Sequence, residues 1–283
     1  MKVMNRFNVD QDNPLLTYLF TIMPKRSKKD VKNLLSKKMI LVNDQVQTQF
    51  DFPLKKGDVI TIGQRQVQTH LDILYEDQEL IVINKPSGLL SMASQREKEK
   101  TAYHQVRQYL KEKEPKAMIF IVHRLDQFTS GVLMFAKNEK IKNILQEKWN
   151  DIVTKRGYIA IVEGQPKKKM GTIRSYLKET KTQMVYSAHD QTGKLAITHY
   201  QVLKSNSRYS LLEIYLDTGR KNQIRVHMQD LHHPIVGDTK YKAKTNPIGR
   251  LGLHSHILEL VHPVTQKKMT FEAAMPECFK RLF

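Results

Sequence analysis

Nine consecutive residues, His123-Arg124-Leu125-Asp126-Gln127-Phe128-Thr129-Ser130-Gly131, concentrate more reactive side chains than any other stretch of this 283-residue chain. The string is a polar loop between two apolar runs, Ile119 to Val122 and Val132 to Ala136, so both of its ends are tied to buried strands. A carboxylate held there, Asp126, is partly desolvated and stays charged only beside a cation or several donors. Thr129, Ser130 and their backbone N–H groups are candidate donors, and Arg124 or an arginine distant in sequence is the candidate cation. Such a carboxylate serves as nucleophile or base. On these residues alone, an Asx turn capped by the aspartate fits equally well.

Other chemistries are not written in the sequence. It has neither G-x-x-x-x-G-K-S/T nor G-x-G-x-x-G, so nothing marks nucleoside triphosphate or dinucleotide binding. His227, His232, His233, His254 and His256 crowd the carboxy-terminal end, but none has H-E-x-x-H spacing, and the single cysteine, Cys278, cannot build a thiolate cluster. These histidines are expected in the core or facing a polyanion, with no metal and no cofactor in the chemistry.

HRLDQFTSG at 123–131 resembles the signature of the RluA-type pseudouridine synthases. Further pieces follow that family's order: Asn84-Lys85-Pro86-Ser87-Gly88 upstream, Arg156-Gly157-Tyr158 through Glu163-Gly164, then Thr218-Gly219-Arg220-Lys221-Asn222-Gln223-Ile224-Arg225-Val226-His227. His233 through Asp238 and Leu253-His254-Ser255-His256 complete the set, so the resemblance covers nearly everything from Leu71 onward. It implies that Asp126 is the catalytic aspartate, Tyr158 the active-site tyrosine and Arg225 the arginine paired with the aspartate. It also makes Arg124 the residue that helps extrude the target base, with His123 and Thr129 beside it toward the RNA.

The implied reaction breaks an N-glycosidic bond, turns the uracil and joins its C5 to the sugar. Nothing is oxidised and no group is imported, so no cofactor is required. The carboxylate acts as nucleophile, at C1′ or at the base, or as the base of an elimination through a glycal; the sequence leaves these open. Tyr158 offers a flat ring for stacking and a hydroxyl able to relay a proton. Asn222 departs from the family, which generally has histidine there; asparagine hydrogen-bonds but does not titrate near neutral pH, which argues against a charged phosphate contact.

The elements that must position these residues read as strands with few helices. Strand-like runs cover Ile73 to Tyr75, Leu80 to Asn84, Ile119 to Val122, Val132 to Ala136, Tyr158 to Val162, Ile197 to Leu203 and Ser210 to Leu216. Helical stripes cover Lys140 to Trp149 and Lys221 to Leu231. This pattern predicts an α+β fold with a mostly antiparallel mixed sheet over residues 71–283.

Ahead of it the sequence predicts a smaller α/β unit over 13–70, preceded by an extension, 1–12. Asn13 caps one helix with Pro14 at its first position, and Ser27 caps a second with Asp30 as its partner. Seven basic residues, Lys25, Arg26, Lys28, Lys29, Lys32, Lys37 and Lys38, crowd this second helix against one acid, and flexible lysines suit phosphates better than bases. The string SKKDVKNLLSKKMILVND, with KKGDVITI after it, resembles the S4 RNA-binding domain, although Lys38 stands where that family usually has glycine.

Forty-seven basic against 28 acidic residues give a formal charge of +19, which points to a nucleic-acid partner. No apolar run approaches the roughly 18 residues of a membrane span, and the start MKVMNRFNVD has no apolar segment of a secretory signal. The sequence therefore predicts a monomeric cytoplasmic enzyme that isomerises uridine in ribosomal or transfer RNA. The alternative is an RNA-binding or ribosome-assembly factor without catalysis, which has no use for a buried carboxylate paired with an arginine.

Overall fold

The computed structural model describes residues 3–24, 26–36, 38–63, 71–94, 97–188, 190 and 192–283. The chain divides into two compact units, Met1–His70 and Leu71–Phe283.

The first unit contains β1 (Val3–Asn8), β2 (Asn13–Pro14), α1 (Leu15–Ile22), α2 (Lys28–Ser36), β3 (Ile40–Val42), β4 (Gln45–Val46), β5 (Pro53–Leu54) and β6 (Val59–Gly63). Its sheet runs β1-β6-β3-β4, with β2 and β5 as a separate ladder. Residues 3–8, which the sequence set apart as an extension, are thus a strand of this sheet, paired antiparallel with β6. Leu15 and Leu19 of α1 and Val31, Leu34 and Leu35 of α2 close over Ile40 and Ile60 to make the core.

The two helix starts differ. The expected cap at Ser27 forms: its hydroxyl accepts from the Asp30 N–H at 3.2 Å and donates to the Asp30 carboxylate at 2.6 Å. The expected cap at Asn13 does not. Asn13 and Pro14 pair with Leu54 and Pro53 instead, and α1 begins at Leu15 without a side-chain cap because the flanking position is a proline. The apolar stripe of α2 leaves Lys28, Lys29 and Lys32 exposed, with Arg26 exposed just ahead of the helix; Lys25 and Lys37 lie outside the described residues. Lys38 has φ +57°, the left-handed conformation that glycine adopts most cheaply after a helix.

The second unit carries β7 (Ile73–Glu76), β8 (Leu80–Lys85), α3 (Ala102–Lys113), β9 (Phe120–Ile121), β10 (Ser130–Ala136), α4 (Glu139–Glu147), α5 (Trp149–Ile152), β11 (Val153–Glu163), β12 (Met170–Glu179), β13 (Val185–Ala188), β14 (Lys194–Ser205), β15 (Tyr209–Leu216), α6 (Gln223–Asp230), β16 (Leu253–Val261), β17 (Lys268–Glu272) and α7 (Glu277–Lys280). Eleven strands form one sheet in the order β13-β12-β14-β15-β11-β16-β10-β8-β7, with β17 added on β16 and β9 on β10. The ladders are antiparallel except for β10 on β16, so the α+β, mostly antiparallel expectation holds.

Both faces of β8 and β10 are covered. Ile81, Ile83, Leu133 and Phe135 pack under Val106 and Leu110 of α3, while Leu80, Val82, Val132 and Met134 pack under Ile141 and Leu145 of α4. Doubly covered strands read as continuous apolar runs, which is how these two stood out in the sequence. The parallel pairing is short and close: Gly131 lies opposite Ser255, at φ +109°, where an added Cβ would sit 2.0 Å from the Ser255 carbonyl oxygen. Only glycine permits this approach, and the approach places the 123–129 loop at the end of β16.

Candidate active site

The loop from His123 to Thr129 is held along its length by the segment that follows β8. The Ser91 hydroxyl donates to the Leu125 carbonyl at 2.7 Å and accepts from the Leu125 N–H at 3.1 Å. The Gly88 N–H donates to the Gln127 carbonyl at 2.9 Å, and the Ser87 hydroxyl donates to the Phe128 carbonyl at 2.8 Å. Beneath them lies Lys85, with no solvent exposure, whose ammonium donates to the carbonyls of Pro86, Leu89 and Gln127 at 3.0, 2.7 and 3.0 Å. Three acceptors match its three N–H donors. Burial, together with the nearby Arg250 and against the pull of Asp126, lowers the Lys85 pKa to about 7.

Asp126 points at Arg225, 99 residues later, whose Nη1 donates to its carboxylate at 3.2 Å. The geometry answers the question the sequence left open, because the carboxylate pairs with the distant arginine and only the Asp126 backbone carbonyl takes the Thr129 N–H, at 3.1 Å. Ser130, the other candidate donor, turns away: its hydroxyl lies 2.8 Å from His254 Nδ1 and accepts from Arg250 at 2.7 Å.

Arg225 is itself gripped. Its Nε and Nη2 donate to both oxygens of Asp238, at 2.6 and 2.8 Å, and that carboxylate is almost wholly buried. Nη1 also donates to the Asn222 side chain at 3.1 Å, whose amide donates on to the Tyr241 hydroxyl at 3.0 Å. The guanidinium carbon lies 4.9 Å from the centre of the Tyr241 ring. Burial opposes the charge on Arg225, but the carboxylates of Asp238 and Asp126 prevail and raise its pKa. Two carboxylates share one fixed cation, and Asp126 is the one facing the open side.

Asp238, Tyr241 and the positional role of Asn222 escaped the sequence reading. Asp238 stood inside a quoted motif, but nothing local tells that its carboxylate reaches a helix 13 residues earlier. Asn222 is buried at φ +55°, a conformation asparagine tolerates better than most residues, and is a spacer between Arg225 and Tyr241 rather than a phosphate contact.

Tyr158 enters from β11 at a bulge between Gly157 and Tyr158, which re-aims the side chain. It lines a cavity of about 70 Å³ together with Asp126, Arg124, Thr129, Arg220 and Arg225. Burial raises the phenol pKa, opposed by Arg156 and by a hydrogen bond with Ser255, so the hydroxyl keeps its proton at neutral pH. Asp126 also lines a larger cleft of about 870 Å³, together with residues of the 87–94 segment and with Lys221, Asp238 and Lys240. Arg124 is exposed and lines both spaces.

His123 corrects the sequence reading, which placed it toward RNA. Its Nε2 accepts from the Met134 N–H at 3.0 Å and its ring packs 5.1 Å from Trp149. Burial, with Arg156 nearby, lowers its pKa to about 4, so it is a neutral support for the loop. Thr129 is also buried, with its backbone closing the turn. Asp126, Tyr158, Arg225 and Arg124 therefore meet at one place, while Arg26, Lys28, Lys29 and Lys32 belong to the first unit.

Residues 79–230 match the profile of a family described as RNA pseudouridylate synthase. The chain belongs to this family. An RNA pseudouridylate synthase is an isomerase, and the reaction of this one is the conversion of uridine to pseudouridine in RNA. A tRNA pseudouridine synthase C of Haemophilus ducreyi is 36% identical over 75% of this chain and 94% of its own length. A ribosomal large subunit pseudouridine synthase C of Rickettsia felis is 30% identical over 97% of this chain and 98% of its own. The solved human RNA pseudouridylate synthase domain containing 4 superposes with a TM-score of 0.61 at 25% identity, covering 74% of this chain and 90% of that one. The matched profile contains the 123–131 loop, Tyr158 and Arg225, so the synthase carries its candidate chemistry inside the family region.

Proposed function

We infer that Asp126 is the reacting carboxylate of this synthase, acting on a uridine turned out of the RNA into the space between Asp126 and Tyr158. The observation that carries the reading is the shared cation: Arg225 is fixed by Asp238 on two sides and offers its remaining nitrogen to Asp126. A carboxylate so held is oriented and open to the cleft, as a nucleophile or base must be. Arg124 reaches into both spaces and takes the place of the extruded base in the stack, since a stacked uridine hides C1′ and C6. Tyr158 stacks on the displaced uracil and keeps a proton available for transfer at the base.

The first unit adds grip. Exposed Arg26, Lys28, Lys29 and Lys32 on and before α2 suit RNA phosphates, as the resemblance to an S4 domain implies, and the left-handed Lys38 fits the turn where that family uses glycine. The protein works as a single chain in the cytosol, on ribosomal or transfer RNA, the two substrate classes named among its relatives. Among the described residues no helix is long and apolar enough to cross a membrane.

Pseudouridine mapping in ribosomal and transfer RNA from cells lacking the protein tests this reading. At least one site should lose its modification and regain it with the wild-type chain but not with Asp126→Asn. Unchanged maps, or full restoration by Asp126→Asn, would overturn it.

A further inference from the structure

Phe128 stands two residues beyond Asp126 and is 53% exposed, whereas the other five phenylalanines of the second unit are buried or partly buried. Single exposed apolar side chains are ordinary. This one is not free to drift, because its backbone carbonyl is held by the Ser87 hydroxyl and its neighbour Gln127 is tied to Gly88 in both directions, at 2.9 and 3.1 Å. Met92, 40% exposed, lines the same large cleft as Phe128. The same cleft is lined by Lys240 and Arg124, both exposed. An exposed aromatic ring on a fixed backbone, in a cleft that also carries cations, is the composition that takes single-stranded nucleic acid: phosphates on the charges and a base on the ring.

We propose that Phe128, in the cleft that Met92 also lines, is a stacking platform for an unpaired nucleobase adjacent to the uridine being isomerised. Two residues of chain limit the separation of Asp126 and Phe128 backbones to about 7 Å, which is within reach of the next nucleotide. A base inside a duplex has both faces covered, so the platform selects uridines whose neighbour is unstacked, in loops, bulges or single strands. The neighbouring base held on Phe128 also fixes the strand while the target turns toward Tyr158. The inference rests on RNA being the substrate and adds where the strand is gripped.

The test uses the full-length protein and two nine-nucleotide binding probes, an oligouridylate and the same backbone with every base removed. Phe128→Ala should bind the oligouridylate about tenfold more weakly and the abasic probe within twofold of wild type, while Phe128→Tyr stays within threefold on both. A 2-aminopurine placed in the oligouridylate should be quenched on the wild-type protein and bright on Phe128→Ala. Equal binding of the oligouridylate by wild type and Phe128→Ala, or an equal loss on both probes, would overturn the platform. Isomerisation of cellular RNA by the wild-type protein is measured alongside, so a failure of the enzymatic reading shows in that assay and a failure of the platform in the probes.

Discussion

The two units of the molecule use charge in opposite ways. In the first, Arg26, Lys28, Lys29 and Lys32 project from an exposed helix face and its approach. In the second, the charges at the centre are enclosed and multiply bonded: Arg225 by Asp238, Asn222 and Asp126, and Lys85 by three carbonyls. Exposed lysines can follow a moving phosphate backbone at little cost. A reacting carboxylate needs its partner in place beforehand, and that requires a buried, fully bonded cation. Grip tolerates loose geometry and chemistry does not.

The contrast breaks most severely at Arg225. Arg225→Met leaves the buried Asp238 carboxylate without its cation and should destabilise the second unit by about 3–5 kcal/mol, with activity lost. The milder Asp238→Asn keeps the shape but loosens the guanidinium, and single-turnover rates should fall by about 100-fold with RNA affinity retained. Urea unfolding and single-turnover isomerisation measure both effects. A stable, active Arg225→Met protein would show that the enclosed charges are incidental.

Lys85 and the buried histidines sharpen the contrast through pH. The Lys85 pKa is about 7 in the folded chain and near 10.5 when exposed, so between these values the unfolded chain binds more protons and stability rises with pH, by up to about 1.4 kcal/mol per unit. His123, His227 and His254 have pKa values lowered to about 4, so stability falls as the pH drops from about 6.5 toward 4. Lys85→Met should remove the alkaline slope and leave the acidic one. Unfolding free energies from pH 4 to 10 read both, and an unchanged alkaline slope in the variant would assign it elsewhere.

The exposed lysines should behave differently. Replacing Lys28, Lys29 and Lys32 together by Gln should weaken RNA binding and reduce the log-log salt slope by about 0.7–0.9 for each phosphate no longer neutralised, while single-turnover conversion at saturating protein stays near wild type. The smallest effect is expected at Lys38, where Lys38→Gly relieves a left-handed side-chain residue and should stabilise the first unit by about 0.5–1 kcal/mol in thermal unfolding.

What the sequence shows of this arrangement follows the range of its signals. The Asp126 loop is legible because it interrupts apolar runs, and the α2 start because Ser27 and Asp30 are three residues apart. Helix α3 is not, since only Ala102, Val106 and Leu110 of its twelve residues are buried. Strands β12 and β13 carry mixed polar faces and β16 lacks a clean alternation, while β17 alternates over only five residues, Lys268 to Glu272, so these too pass unread. The grip of Asp238 on Arg225 and the bridge from Asn222 to Tyr241 come from the folding of α6 against the segment after it. Family resemblance marks Arg225, but only geometry shows that its second carboxylate is what keeps it in position.

The central claim is that the Asp126 carboxylate does the chemistry and the rest of the enclosure holds it ready. Asp126→Asn, which keeps the shape and removes the reactive charge, tests it most directly by single-turnover tritium release from RNA labelled at uracil C5, with RNA affinity and thermal unfolding measured on the same preparation. Release should be undetectable while affinity stays within a few-fold of wild type and the protein remains folded. Release at a rate near wild type by a folded, RNA-bound Asp126→Asn protein would contradict the claim.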